Sequence, residues 1–288
     1  MRVDAHHHLW DLSAVDYPWL MAKSEVRFFG DPAPIARDYL IDEYTKDASA
    51  HGFTGSVHIQ VGAADGMAEA RWIDDIATNS HWPMRQIAFC DLSAPDVSDR
   101  LSQLSAMSSV VGVRQIIGRA PGEDALTGTR DLIASQAFSD GLKALCDHGL
   151  SFDLQLLPEL MAPMAEILSS VPSLPVALCH AGSPYDRTQS GLMIWAEALT
   201  SLSSLPQISA KLSGLGMFAP SWQKDDFAPI VKTVIDQFGP QRVMFGSNFP
   251  VCSLTSDYAT LISAYEHLIP QSMQAQIFGK TAADFYRF

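Results

Sequence analysis

Cysteine is scarce in this 288-residue chain: Cys90, Cys146, Cys179 and Cys252 are the only four, and no two form a CxxC pair. That spacing signals neither a zinc knot nor a disulfide framework, and it fits thiols kept reduced in a cytoplasmic setting. Long apolar runs are missing too. No stretch approaches the roughly 20 residues that cross a bilayer, and the N-terminal segment lacks the charged-then-apolar pattern of a signal peptide, so no membrane role is expected. Basic residues are outnumbered, 19 Lys and Arg against 32 Asp and Glu, for a formal net charge of −13. So acidic a chain repels phosphate backbones, which argues against nucleic acid as a partner. A small-molecule substrate is not excluded, because its recognition depends on charge inside a pocket. Finally, no GxGxxG follows any apolar run, which removes the usual dinucleotide fingerprint.

What is present is the material of a globular protein, 47% hydrophobic and 18% charged. A chain of this length buries roughly 75% of its unfolded surface and needs no staples. Eight short segments rich in Val, Ile, Leu and Phe read as strands buried on both faces: 2–8, 55–61, 86–92, 110–117, 151–157, 174–180, 207–213 and 242–247. Helical patterns lie between them at 64–79, 131–148, 158–170, 187–203, 222–238 and 255–268. Asp131 is a start signal for the helix at 131–148, and Gly149 is its stop signal. Strands alternating with helices give a parallel sheet, and eight repeats in under 300 residues predict a closed (β/α)8 TIM barrel of the α/β class. No linker divides the chain, so residues 1–288 read as a single domain.

In such a barrel the functional groups stand at the C-terminal ends of the strands. The first strand carries Asp4, His6, His7 and His8. His6 and His8, two apart, point to one face, while His7 points away. The later strands add His58 and Gln60, Arg114 and Gln115, Asp153 and Gln155, His180, Lys211 and Ser213, and Asn248. So many desolvated polar groups are costly unless paired or used. The stretch 9–35, with Trp10, Tyr17, Trp19, Phe28 and Phe29, is long enough to be a binding loop or lid over the same mouth.

Taken in order, Asp-Ala-His-His-His-Leu-Trp-Asp at 4–11, Gly-Val-Arg at 112–114, Phe-Asp-Leu-Gln at 152–155, Cys-His-Ala-Gly-Ser-Pro at 179–184, Lys-Leu-Ser-Gly-Leu at 211–215 and Met-Phe-Gly-Ser-Asn-Phe-Pro-Val at 244–251 resemble the amidohydrolase superfamily. The likeness narrows to the branch of predicted metal-dependent hydrolases that includes L-fuconolactonase and related sugar-lactone and 2-pyrone-4,6-dicarboxylate lactonases. It implies catalytic roles for His6, His8, His180 and Asn248, with Arg114, Asp153, Gln155, Lys211 and Trp10 about the substrate. Position 248 matches the family's general-base aspartate, but an amide is neither acid nor base near neutral pH. The bridging Lys or Glu of a two-metal site on strand four and the histidine on strand five are also absent. The resemblance therefore leaves two cofactor states open, one divalent ion such as zinc on His6, His8 and His180, or none. The expected activity is opening of a small lactone by carbonyl polarisation and water attack. The alternatives are a metal-dependent decarboxylase of the same superfamily and a non-catalytic barrel that binds a sugar acid. Both a monomer and a homo-oligomer remain open.

Overall fold

A computed structural model of the protein describes residues 1–22, 26–123 and 129–288; residues 23–25 of the long first loop lie outside the described residues. Its strands are β1 (Val3–His7), β2 (Gly55–Ile59), β3 (Met84–Phe89), β4 (Val110–Ile116), β5 (Ser151–Gln155), β6 (Val176–Leu178), β7 (Ile208–Leu212) and β8 (Val243–Phe245). They form one sheet in sequence order, every neighbouring pair parallel. The turn beyond β8 closes the ring onto β1: the Asn248 N–H donates to the His6 carbonyl (2.6 Å) and the His8 N–H to the Phe249 carbonyl (2.7 Å). This is the (β/α)8 barrel that the alternating pattern predicts.

Helices such as Gly66–Asn79, Gln189–Ser203 and Ala228–Phe238 follow the strands and pack outside them. Their starts are set by side-chain caps. Asp65 accepts from the Met67 and Ala68 N–H groups, and Thr188 accepts from Gly191 N–H. The helix expected at 131–148 is instead two, Thr129–Ala134 and Gln136–Asp147. The Ser135 hydroxyl accepts from Phe138 N–H and starts the second helix afresh, displacing Asp131 from that role. Gly149, at φ +68°, ends it as expected. The chain's last helix, Thr281–Tyr286, puts Ala282 and Tyr286 against the lower interior of the barrel.

That interior contains Val3, Ala5, Val57, Ile59, Ile87, Val111, Ala177 and Met244. Strict alternation from Ala5 would send His7 inward and His6 outward. A register shift between Asp4 and His7 breaks the alternation. A second shift falls where β3 pairs Gln86 with Val110 but Ile87 with Gly112. It brings Arg114 to the inner side only three residues after Val111. Such irregularities re-aim side chains next to functional sites.

Candidate active site

At the C-terminal ends of the strands a cavity of about 340 Å³ opens, with His8, Arg114, Gln155, His180 and Asn248 in its lining. Its upper wall is Pro18, Trp19, Phe28, Phe29, Met217 and Val251, with Arg27 and Arg119 also present, and among the described residues no Asp or Glu lines it. The first loop forms this wall because it is tied down at several points. The Trp19 indole N–H donates to the Val61 carbonyl (2.6 Å), and Phe28 stacks on Phe218. Glu123 accepts from the Arg27 guanidinium (2.9 Å) and from Phe28 N–H (3.2 Å).

Three imidazoles meet at the base of the cavity: His8 and His180 line it, and His6, which does not, packs against both. The ring centroid of His6 is 5.1 Å from that of His8 and 4.6 Å from that of His180. His6 has no hydrogen-bond partner on either buried ring nitrogen among the described residues. His8 Nδ1 lies 2.7 Å from the Ile59 carbonyl. A carbonyl only accepts, so Nδ1 carries the proton and Nε2 the lone pair. Asn248 Oδ1 stands 3.2 Å from that Nε2, while its amide Nδ2 donates to Cys252 Sγ at 3.4 Å.

His180 follows β6 on a left-handed turn, with φ of +53° at His180, +54° at Ala181, +71° at Gly182 and +52° at Ser183. Non-glycine residues in this region each cost about 1–2 kcal/mol, so the surroundings must hold the turn in place. Trp195 does so by donating its indole N–H to the Ala181 carbonyl (2.8 Å), and Ser213 Oγ meets His180 Nδ1 at 3.0 Å.

Electrostatics keep the imidazoles neutral. Burial, then the nearby Arg114 charge, pushes His8 down to about 3. Burial is also the largest cause holding His6 and His180 well below the ordinary histidine range. Arg114 is itself buried; its guanidinium donates to the Gln60 carbonyl and to Gln155 Oε1 (3.3 Å), and among the described residues its Nε has no hydrogen-bond partner. Among the described residues no carboxylate forms an ion pair with it. The floor can therefore offer lone pairs for protons and one cation for negative charge. Burial pushes the thiols of Cys179 and Cys252 up to about 12, which rules both out as ready nucleophiles.

The amidohydrolase family pattern matches residues 3–288. This chain belongs to the amidohydrolase family. It is 31% identical to the uncharacterized protein y4mH of Sinorhizobium fredii over 99% of this chain and 98% of that one. It is 28% identical to L-fucono-1,5-lactonase of Burkholderia multivorans over 99% and 96%. An amidohydrolase of Burkholderia multivorans, solved with HEPES bound in one crystal form and zinc in another, superposes with a TM-score of 0.85 at 25% and 24% identity, covering 100% of this chain and 99% of that one.

The zinc in that structure belongs to that protein, and the donors in this amidohydrolase are a poor match for a metal ion. Among the described residues no group of three His, Cys, Asp or Glu is arranged to hold one. No carboxylate among the described residues lines the cavity, and the Arg114 charge bears on both His8 and His180. The expected three-histidine ligand set is thus brought together without being assembled into a cage.

Other expectations are corrected. Lys211 and Asp153 do not reach the cavity but are buried with each other beneath it, Nζ to Oδ2 at 2.5 Å. The Tyr286 hydroxyl donates to Asp153 Oδ1 (2.9 Å). Depth along an inward-facing strand decides this, and it cannot be read from residue type. Trp10 is fully buried behind Trp19, with its indole on the Arg37 carbonyl (2.6 Å), so it supports the wall without touching the cavity. Asp4, between the inward-facing Val3 and Ala5, lies outside the barrel wall, where it accepts from the hydroxyls of Tyr44 and Tyr258. His7 stacks on Tyr44 at 3.8 Å, away from the mouth as expected, and the His58 ring contacts the Leu9 carbonyl in the buried network. Arg27, Arg119 and Met217 escaped the sequence reading, and Ser213 was placed at the mouth with no role as the partner of His180. The signal for the two arginines lay in their positions on the loops after β1 and β4.

Proposed function

We propose that this amidohydrolase opens a lactone ring by direct attack of water, with an oxygen-rich or carboxylated ring as substrate. One observation carries the reading: His8 Nε2 and Asn248 Oδ1 are two acceptors 3.2 Å apart at a cavity that also presents Arg114. Two such acceptors satisfy both O–H groups of one water and leave its lone pair free for attack. The carbonyl oxygen faces the Arg114 guanidinium, with Gln155 and His180 orienting the ring. The water oxygen bonds to the carbonyl carbon, its proton passes to His8 Nε2, and the carbonyl π pair becomes an oxyanion beside Arg114. The oxyanion offsets the cationic neighbour that otherwise keeps His8 from protonating. Collapse re-forms the carbonyl and breaks the ring C–O bond, and the departing alkoxide takes the proton from His8. The product is a hydroxy acid. Similarity to L-fucono-1,5-lactonase along 99% of the chain supports this reading.

The test is product analysis on a panel of aldonolactones and carboxylated lactones, with carbon dioxide release assayed in parallel. Ring-opened acid is expected, and Arg114→Met should lower kcat about 10²–10³-fold, the usual effect of removing an oxyanion donor. Carbon dioxide as the product, or tight binding without turnover across the panel, would replace this reading.

A further inference from the structure

We propose that Asp4 and Lys211 are positioning residues that act through His6 by gripping, from opposite sides of the barrel wall, the peptide group that turns this histidine against His8 and His180. The peptide joins Ala5 to His6, and the pairing of β1 with β2 passes over both residues. Its carbonyl accepts from Lys211 Nζ at 2.8 Å, and its N–H donates to Asp4 Oδ1 at 3.2 Å. Both side chains are fully buried. Each is anchored in turn: Lys211 by Asp153, and Asp4 by Tyr44, Tyr258 and the Ser247 N–H at 2.8 Å. The same Asp4 oxygen thus serves His6 and the turn that carries Asn248. A peptide displaced from its ladder leaves two orphan polar groups, and a buried orphan is costly. Satisfying them with one carboxyl oxygen and one ammonium favours the shifted register over the regular one, in which His6 faces outward.

The inference rests on the lactonase reading only in that His6 supports His8 and His180, the two imidazoles to which that reading gives work. Asp4→Ala, and separately Lys211→Met with Asp153→Asn so that no buried charge is left unpaired, should each lower kcat roughly 10–100-fold with little change in KM, the scale of a misplaced group. Asp4→Asn, which keeps an acceptor oxygen, should recover most of the loss. In a His6→Ala background neither change should lower kcat more than about twofold further, because the residue they act through is gone. Losses that multiply in that background, or an Asp4→Asn as poor as Asp4→Ala, would overturn the proposal. The histidine 1H–13C NMR spectrum gives an activity-independent reading on Asp4→Asn and the Lys211–Asp153 double variant, and decides the matter if Asp4→Ala does not fold. A shift of the His6 resonance in the double variant, with His8 and His180 in place and Asp4→Asn near native, supports the grip. All three moving, or none, refutes it. If the native protein opens no lactone, the functional reading fails and the same spectra still judge the grip.

Discussion

The main-chain N–H of Asn248 donates to the carbonyl of His6 at 2.6 Å, which ties the strand-eight turn to the first histidine and sets its amide oxygen against His8. Asn248 adopts φ +56°, a left-handed conformation that Asn and Asp tolerate better than other side chains. Position 248 is therefore fixed by its backbone whether the side chain is an amide or an acid.

Asn248→Asp accordingly tests which group takes the proton. A carboxylate keeps the acceptor geometry and raises the pKa of the adjacent His8. With His8 as base, kcat above pH 8 should change by less than about tenfold and a new loss of activity should appear on the acid side. A rise of about 10²–10⁴-fold, the worth of a general base, would instead show that the native protein lacks its own. Steady-state pH profiles of both forms decide it.

Gly214→Ala tests the placement of His180. Gly214 has φ +64°, and a Cβ there would lie 2.4 Å from His180 Nδ1. The imidazole cannot stay where Ser213 holds it. We expect kcat to fall at least tenfold and the unfolding midpoint to drop by the equivalent of about 1–3 kcal/mol, from both the strain and the lost contact. Native activity in this variant would mean that His180 is dispensable.

The barrel was legible because buried parallel strands read as short apolar runs: seven of the eight expected segments contain the observed strand, and β3 begins at Met84, two residues before the expected 86–92. The convergence of His6, His8, Arg114, His180 and Asn248 followed from placing polar residues at strand ends. What escaped is local backbone geometry. The shift between Asp4 and His7 has no compositional signature, yet it turns His6 toward His8 and His180. Lys211 and Asp153 look like substrate contacts because both are polar and inward-facing; only their depth, beside Tyr286, shows that they neutralise each other.

Dependence on metal follows from the donor set. With Arg114 beside His8 and His180 and no carboxylate among the described residues lining the cavity, a dication gains little there. Dialysis against a chelator should leave lactone opening within about twofold of its starting rate, since no proposed step requires an ion. Loss of more than tenfold of the activity, restored by stoichiometric zinc, would place an ion in the mechanism. Elemental analysis of the purified protein completes the measurement.

The buried imidazoles also set the pH dependence of stability. His6, His7, His8, His58 and His180 are all held below the ordinary histidine range, chiefly by burial. On unfolding they take up protons below about pH 6.5, so in that range the unfolded state binds more protons and stability falls as pH falls. Two carboxyls oppose this: burial raises Glu69 to about 7, so below that value the folded state holds a proton that the unfolded state gives up, and burial raises Asp4 as well. The five imidazoles outnumber them, so the net slope keeps its sign. Denaturant midpoints should therefore drop steeply from pH 7 to pH 5. Glu69→Gln, which removes one opposing group, should steepen the drop. A midpoint that stays level or rises over this interval would mean that the folded protein protonates its histidines, and that the neutral His8 required as the proton acceptor is not the resting form.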